Sequence, residues 1–312
     1  MSRIIALTGA TGFIGSAVAR QIDGAGWQVR ALVRPESHKN RLDGIAAQWT
    51  EGDLDNIESL RRLVHGAYAV VHCAGAVRGA TQDHFNRVNV DGVARLVKVA
   101  TEKKTVPRFL LISSLAAREP QLSPYATSKR LGEKALVEGA GKMPWAALRP
   151  SAVYGPGDRE MLPLFRWMER GIAPVLGSES ARFSLLYVED LAAAVLRWLD
   201  SENCAARHFE LHDGHPQGYT WDAVIDTAAH LRGGPIVRLQ VPVLVPKLLA
   251  VVNLMAARVM GYAPMLTPGK VCELRHPDWV CNNAPFFHET GWKPKISLEQ
   301  GLRNTLRQNK GP

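Results

Sequence analysis

Tyr125 and Lys129 are the two side chains of this sequence best suited to move a proton. Ser123 is a favoured N-cap residue and Pro124 suits a first helical position, so a helix is predicted to begin there. Tyr125 then lies in the first turn, with Lys129 one turn later on the same face. An ammonium beside a phenol near the positive end of a helix favours the tyrosinate, which predicts a lowered pKa for Tyr125. Such a tyrosine can act as acid or base toward a carbonyl or alcohol oxygen. Taken alone, a Tyr-x-x-x-Lys pair is common and is more typical of an amphipathic helix surface.

Two serines, Ser113 and Ser114, follow the apolar run 109–112, and Ser114 stands eleven residues before Tyr125. A hydroxyl at the carboxyl edge of a sheet can donate a hydrogen bond to the same substrate oxygen. A serine at a strand end is also an ordinary cap. It indicates a catalytic role only in combination with the tyrosine and the lysine.

A glycine-rich turn at residues 8–15 (TGATGFIG) follows the apolar run 4–7 and opens a helical pattern. This order of strand, turn and helix aims a helix N-terminus at a diphosphate. Gly9 permits the tight turn, Gly12 lets backbone amides approach phosphate oxygens, and Gly15 allows close packing of the helix. The spacing is GxxGxxG, and its context predicts a dinucleotide site.

Apolar runs alternate with helical patterns through the first half of the chain. Strands are predicted at 3–8, 28–34, 45–49, 68–73, 108–113 and 145–149, and helices at 13–25, 56–65, 84–103 and 125–139. Near-continuous apolar strands separated by helices indicate an α/β fold with a doubly wound parallel sheet. We predict a dinucleotide-binding Rossmann domain at 1–150, to which 183–205 returns, and a smaller, partly interleaved substrate-binding domain within 151–312.

The order of these features resembles the short-chain dehydrogenase/reductase superfamily. The strand end at 72–75 (HCAG) and Asn89 lie between the glycine turn and the serine, tyrosine and lysine, as in that superfamily. Residues 149–158 (RPSAVYGPGD), 186–192 (LYVEDLA) and 291–302 (GWKPKISLEQGL) resemble its extended branch, the NAD-dependent epimerase/dehydratase family. The resemblance covers nearly the whole chain.

The resemblance implies a role for each matching position. Tyr125 would transfer the proton, Lys129 would hold the nicotinamide ribose and tune Tyr125, and Ser114 rather than Ser113 would orient the substrate oxygen. Asp53 and Leu54 would lie along the adenine, Ala74 and Gly75 beside a ribose, and the backbone from Pro150 to Val153 near the carboxamide. The pyrophosphate would be surrounded by the residues of the glycine turn, namely Gly9, Thr11, Gly12, Phe13, Ile14 and Gly15.

The choice between NADP and NAD depends on the end of the second predicted strand. An acid there binds the 2′-hydroxyl of the ribose, whereas an arginine accommodates a 2′-phosphate. Arg34 occupies this place, with Arg30, His38 and Lys39 nearby, and the ending resembles the dihydroflavonol-reductase-like and 3β-hydroxysteroid-dehydrogenase-like subgroup. We therefore expect NADP, while Glu36 leaves NAD open.

The chain lacks the acidic residues that dehydratases of this branch use to eliminate water. Leu115 and Ala116 stand where dehydratases carry an Asp-Glu pair, and residues 117–119 (ARE) replace a stretch common in epimerases. The leading hypothesis is an NAD(P)-dependent oxidoreductase that interconverts a carbonyl and a secondary alcohol. A nucleotide-sugar epimerase with tightly held NAD and a non-catalytic dinucleotide-binding sensor or assembly factor are the alternatives.

Residues 241–261 form an apolar stretch interrupted by Pro242 and Pro246. The prolines predict a helix of about 14 residues, too short to span a bilayer. A core or lid helix is the simplest interpretation. A helix that contacts a membrane surface, or the rim of a site for an apolar substrate, is the alternative.

Composition limits the remaining partners and the compartment. The chain of 312 residues carries a net charge of +9, without a Lys/Arg block or nucleic-acid motif, so no nucleic acid is expected. The cysteines at 73, 204, 272 and 281 form no CxxC pair, and neither they nor the histidines show metal-ligand spacing. We expect reduced thiols, no metal and a cytoplasmic location. The resemblance also implies a homodimer through the helices near 84–103 and 125–139.

Overall fold

The computed structural model describes residues 3–37, 40–202 and 206–308. Its main sheet has seven parallel strands in the order β11-β6-β5-β4-β1-β2-β3. These strands are β1 (Ile4–Thr8), β2 (Gln28–Val33), β3 (Ala47–Glu51), β4 (Ala69–His72), β5 (Arg108–Ile112), β6 (Trp145–Pro150) and β11 (Arg207–Leu211). The predicted doubly wound parallel sheet is therefore confirmed.

Helices cover both faces of the sheet. One face packs against α1 (Phe13–Gly24) and α7 (Val188–Asp200), and the other against α2 (Ile57–Val64), α4 (Gly92–Thr101) and α5 (Pro124–Gly139). In β1, Ile5 and Leu7 join the first core and Ala6 joins the second. Burial on both faces explains why the strands read as unbroken apolar runs.

The short helix α3 (Gln82–Asn86) leads through a π-helical turn, Arg87–Asp91, into α4. Two 3₁₀ turns, Leu115–Arg118 and Pro120–Leu122, connect β5 to α5. A third 3₁₀ turn is Asn40–Leu42.

The second half builds a smaller unit around its own core. That core includes Tyr154, Phe165, Tyr187, Val224 and Leu298. Its strands are β7 (Ala152–Tyr154), β8 (Ile172–Val175), β9 (Arg182–Phe183), β10 (Leu185–Tyr187), β12 (Val237–Gln240) and β13 (Asp278–Trp279). Its helices are α6 (Leu162–Glu169), α8 (Trp221–Arg232), α9 (Leu244–Met260), α10 (Pro268–Arg275), α11 (Ala284–Thr290) and α12 (Leu298–Gln308).

The chain returns to the main sheet between these elements, first as α7 and then as β11 beside β6. The returning segment thus continues to Leu211, beyond the predicted residue 205, because β11 adds a seventh strand. Cys204, His38 and Lys39 lie outside the described residues.

Helix α9 differs from the expectation in length and in environment. It has 17 residues rather than 14, since Pro246 falls in its first turn, where a proline costs no helical hydrogen bond. Only Pro246, Ala250 and Ala257 are buried, so the helix is not part of a core. Among the described residues, no helix combines the length and apolar character needed to cross a bilayer.

Candidate active site

The glycine turn joins β1 to α1 at the carboxyl edge of the sheet. Gly9 has a φ of 71°, and a Cβ there would lie 2.6 Å from the backbone nitrogen of Ala74. A Cβ on Gly15 would lie 2.1 Å from the carbonyl oxygen of Gly9. Both glycines are therefore required by close contacts between backbone segments, which hold the turn against α1 and the end of β4.

The N-terminus of α1 has the donors that a pyrophosphate needs. Gly12 is the N-cap, it is exposed, and no side chain among the described residues caps the first turn. An uncapped helix N-terminus presents backbone N–H groups and a positive dipole end to an anion. Thr11, Phe13 and Ile14 are half-buried around it. These residues fit the phosphates of a dinucleotide.

Ala74 and Gly75 follow β4 and lie between the glycine turn and the lysine. The amide of Ala74 donates to Thr8 Oγ1 at 3.3 Å, and a Cβ on Gly75 would lie 3.1 Å from Lys129 Nζ. Asn89 holds this loop, since its Oδ1 accepts from the amide of Ala76 and its Nδ2 donates to Ser128 on α5. The predicted ribose-flanking residues and Lys129 are thus brought together.

Arg34 and Asp53 follow β2 and β3, the last two strands on one side of the sheet, at its carboxyl edge. Arg34 follows β2, its side chain is 66% exposed, and its Nε lies 3.5 Å from Glu36. Asp53 is exposed and its Oδ1 accepts from the amides of Asp55 and Asn56, so the carboxylate shapes the loop after β3. Leu54 packs against Gly92, where a Cβ would come within 2.8 Å of it.

The last cofactor-facing prediction concerns the end of β6. Pro150 is buried as the final residue of β6, and Val153 is half-buried in β7, where it pairs with Leu186 of β10. Parallel strands share one carboxyl edge, so this segment lies on the same side of the sheet as the glycine turn.

Helix α5 begins as the sequence predicts. Ser123 Oγ accepts from the amide of Ala126 at 2.9 Å, and Pro124 is the first helical residue. The Ser114 hydroxyl lies near enough to the Tyr125 phenol to lower its pKa, and it also accepts from the amide of Ala116 at 3.2 Å. Lys129 Nζ donates to the carbonyl oxygen of Ile112 at 3.1 Å. The three predicted catalytic side chains therefore meet where β5 ends.

The pKa of Tyr125 differs from the expectation. Burial raises the pKa of Tyr125 to about 12, the Ser114 hydroxyl opposes this rise, and the Glu273 carboxylate adds to it. The prediction of a lowered pKa was wrong for this structure, because the desolvation of a buried phenolate outweighs the groups that stabilise it. Burial likewise lowers the pKa of Lys129 to about 8.

One turn after Lys129 on α5, Glu133 forms a buried ion pair with Arg149, and its carboxylate raises the pKa of Lys129. Glu133 is 1% exposed and accepts two hydrogen bonds from Arg149, at 2.8 and 2.7 Å, and one from Ser113 at 2.6 Å. Since Ser113 is committed to this pair, Ser114 is the serine left at the tyrosine. Sequence reasoning missed Glu133, although its i, i+4 spacing from Lys129 was a readable signal.

A second missed group comes from α10. The carboxylate of Glu273 is hydrogen-bonded to the Ser123 hydroxyl, and Lys270 Nζ donates to it at 2.8 Å. Lys270 and Glu273 line a pocket beside Tyr125. The same pocket is also lined by Val77, Phe85, Pro264, Met265 and Thr267. No local pattern marks them, since about 150 residues separate Ser123 from Glu273.

The chain is similar in sequence to one protein family and to several named proteins. The family model described as NAD dependent epimerase/dehydratase family matches residues 5–211. The ceramide reductase of Caulobacter vibrioides is 36% identical over 306 residues, covering 97% of this chain and 93% of the relative. The 2-alkyl-3-oxoalkanoate reductase of Stenotrophomonas maltophilia is 26% identical, covering 96% of this chain and 97% of the relative.

Solved structures with the same fold include the UDP-glucose 4-epimerase of Thermotoga maritima. It superposes with a TM-score of 0.76 at 21% identity and covers 98% of both chains.

Proposed function

The chain belongs to the NAD-dependent epimerase/dehydratase family, and from this membership we propose that it reduces a ketone to a secondary alcohol with NADPH. The observation that carries the proposal is the placement of Ser114, Tyr125 and Lys129 around the end of β5, at the edge where the glycine turn also lies. A dinucleotide-binding module would have no use for these three side chains together.

The residues divide the proton chemistry among them. A bound NADPH supplies the hydride. Tyr125 donates its phenolic proton to the substrate oxygen in reduction and recovers it in oxidation, and Ser114 donates a hydrogen bond to the same oxygen. The raised pKa of Tyr125 keeps the phenol protonated at neutral pH, as a proton donor requires. The Lys129 ammonium favours the tyrosinate that forms when the proton leaves.

Two observations favour an apolar, lipid-like ketone as substrate. The pocket beside Tyr125 has apolar side chains at Val77, Phe85, Pro264 and Met265, next to the polar Thr267, Lys270 and Glu273. Two relatives are named for ceramide and for a 2-alkyl-3-oxoalkanoate. The buried Leu115 and Ala116 offer no acid for water elimination.

The test is turnover by the purified protein with NADPH and a panel of long-chain 3-oxo compounds, with UDP-glucose included. We expect oxidation of NADPH with the ketones. Tyr125→Phe should lower kcat by about 10² to 10⁴-fold, the usual contribution of a positioned proton donor, and leave NADPH binding unchanged. Tyr68→Phe is the matched control, because Tyr68 precedes β4 at the opposite edge of the sheet.

Other outcomes would assign a different function. Conversion of UDP-glucose without added cofactor would identify an epimerase, the activity for which the Thermotoga maritima protein is named. Cofactor binding without turnover of any compound would identify a sensor or assembly factor. Full activity of Tyr125→Phe would refute the proton-transfer role.

A further inference from the structure

Helix α9 exposes a continuous apolar face. Val259 is 88% exposed, Met260 77% and Leu244 74%. Further exposed apolar residues of the helix are Val245, Leu248, Leu249, Val251, Val252 and Met255. The buried side of the helix consists of only Pro246, Ala250 and Ala257. An apolar surface of this extent marks a place where another phase or molecule is bound.

The charge around this face has one sign. Residues 240–272 contain no Asp or Glu. Lys247 and Arg258 are exposed and form no ion pair with any residue that the structure describes. They are 11 positions apart, so at 100° per residue they lie about 20° apart around the helix, along one edge of the apolar face.

We propose that α9 docks this protein on the surface of an anionic lipid bilayer, with the helix parallel to the membrane plane. A helix with one exposed apolar face and flanking cations lies in the interface, with its apolar side chains among the acyl chains and its cations at the headgroups. Tyr262, 41% exposed just beyond the helix, has the amphipathic ring that favours this depth.

A second copy of the chain fits the same face less well. A symmetric dimer through α9 would place the same patch on both sides of the interface. Each copy would present cations and no acidic residue from 240–272 to the other. Anionic headgroups supply the missing negative charge.

The docked helix continues into the wall of the catalytic pocket. Asn253 Nδ2 donates to the carbonyl oxygen of Leu266 at 2.8 Å, and the Tyr262 hydroxyl donates to the carbonyl oxygen of Asn253 at 3.0 Å. Pro264 accepts from the amide of Gly79 at 3.1 Å and lines the pocket beside Tyr125. Docking would therefore bring the pocket close to the bilayer, and the supply of a lipid substrate by this route rests on the proposed function.

The experiment is co-sedimentation of the full chain with phosphatidylcholine vesicles that do or do not contain phosphatidylglycerol. We expect binding to the anionic vesicles. Replacing three outward residues together, with Leu248→Asp, Val252→Asp and Val259→Asp, should abolish it. Lys247→Gln with Arg258→Gln should weaken it about 30-fold, the loss expected for two cations near an anionic surface. Added salt should weaken wild-type binding as well.

Val106→Asp is the matched control, since Val106 is a valine in the loop before β5, 39% accessible and distant in sequence from α9. Circular dichroism and NADPH binding establish that each variant is folded, without any use of turnover. No vesicle binding by the wild type, equal binding by the triple variant, or a dimer that α9 substitutions dissociate would overturn the proposal. Ketone reduction that persists in such a case would leave the proposed function standing.

Discussion

At the residue scale, we propose that the side chain of Arg34 selects NADP over NAD. It is two-thirds exposed and its contact with Glu36 spans 3.5 Å, so the pair contributes little to folding. We predict that Arg34→Ser weakens NADPH binding at least tenfold, because a charge-assisted hydrogen bond to the 2′-phosphate is lost. NADH binding and Tm should not change. Fluorescence titration with both cofactors measures the difference, and Arg303→Ser, in an exposed pair with Glu299 on α12, is the control. An equal loss for NADPH and NADH would contradict the assignment.

Tyr125 shows what a sequence can and cannot predict about one residue. Ser123 and Pro124 specify where α5 begins, so the placement of Tyr125 and Lys129 was predictable. The protonation of Tyr125 was not, because it depends on how far the fold desolvates the phenol and on Glu273, which comes from a distant helix. The spacing shows which groups meet but not how deeply they are buried.

At the scale of one element, α5 carries Tyr125, Lys129 and Glu133 at successive i, i+4 positions. The pKa of Lys129 is about 8 and that of Tyr125 about 12, so the ammonium is lost first as pH rises. We predict that the rate of reduction falls through pH 8. The Glu133 carboxylate raises the pKa of Lys129, so Glu133→Gln should move this alkaline limb to lower pH. The measurement is kcat against pH for both proteins.

The same substitution should cost about 3 kcal/mol of unfolding free energy, because Arg149 stays buried without its carboxylate partner. Urea unfolding measures this cost. Glu138→Gln, in an exposed pair with Lys134, should change stability by less than about 1 kcal/mol. Identical alkaline limbs in Glu133→Gln and wild type would show that the carboxylate does not act on Lys129.

The central strands β1, β4, β5 and β6 were predictable because burial on both faces leaves a strong apolar signature in their sequences. The seventh strand, β11, was missed. It is an edge strand, and its sequence, RHFEL, alternates polar and apolar residues. The length of α9 was underestimated because Pro246 was taken as a barrier, although a first-turn proline leaves the helix intact.

At the scale of the whole molecule, the pocket beside Tyr125 is assembled from both halves of the chain. The cofactor-facing loops belong to the main sheet, whereas Lys270 and Glu273 come from α10, beyond the region matched by the family model. Helix α10 approaches closely, since a Cβ on Gly269 would lie 2.8 Å from Ser123 Cβ. This contact joins the smaller unit to the start of the catalytic helix.

We therefore predict that Gly269→Ala impairs turnover of the ketone and leaves cofactor binding intact. Displacement of α10 should lower kcat/KM for the ketone about tenfold or more, since small shifts near the reacting groups are costly. NADPH binding should be unaffected, because the glycine turn lies on the main sheet. Gly24→Ala is the control, as nothing lies within 4 Å of a Cβ at that position. A parallel loss of NADPH affinity would contradict this division.

The uncapped first turn of α1 has one further consequence. Its donors are main-chain amides, which have no proton to lose across the range in which Lys129 titrates. A rise in pH should therefore slow proton transfer without weakening the binding of the phosphates by these amides. In an alkaline medium these amides would still bind the pyrophosphate of the cofactor, whereas proton transfer at the other end of the cofactor would stop.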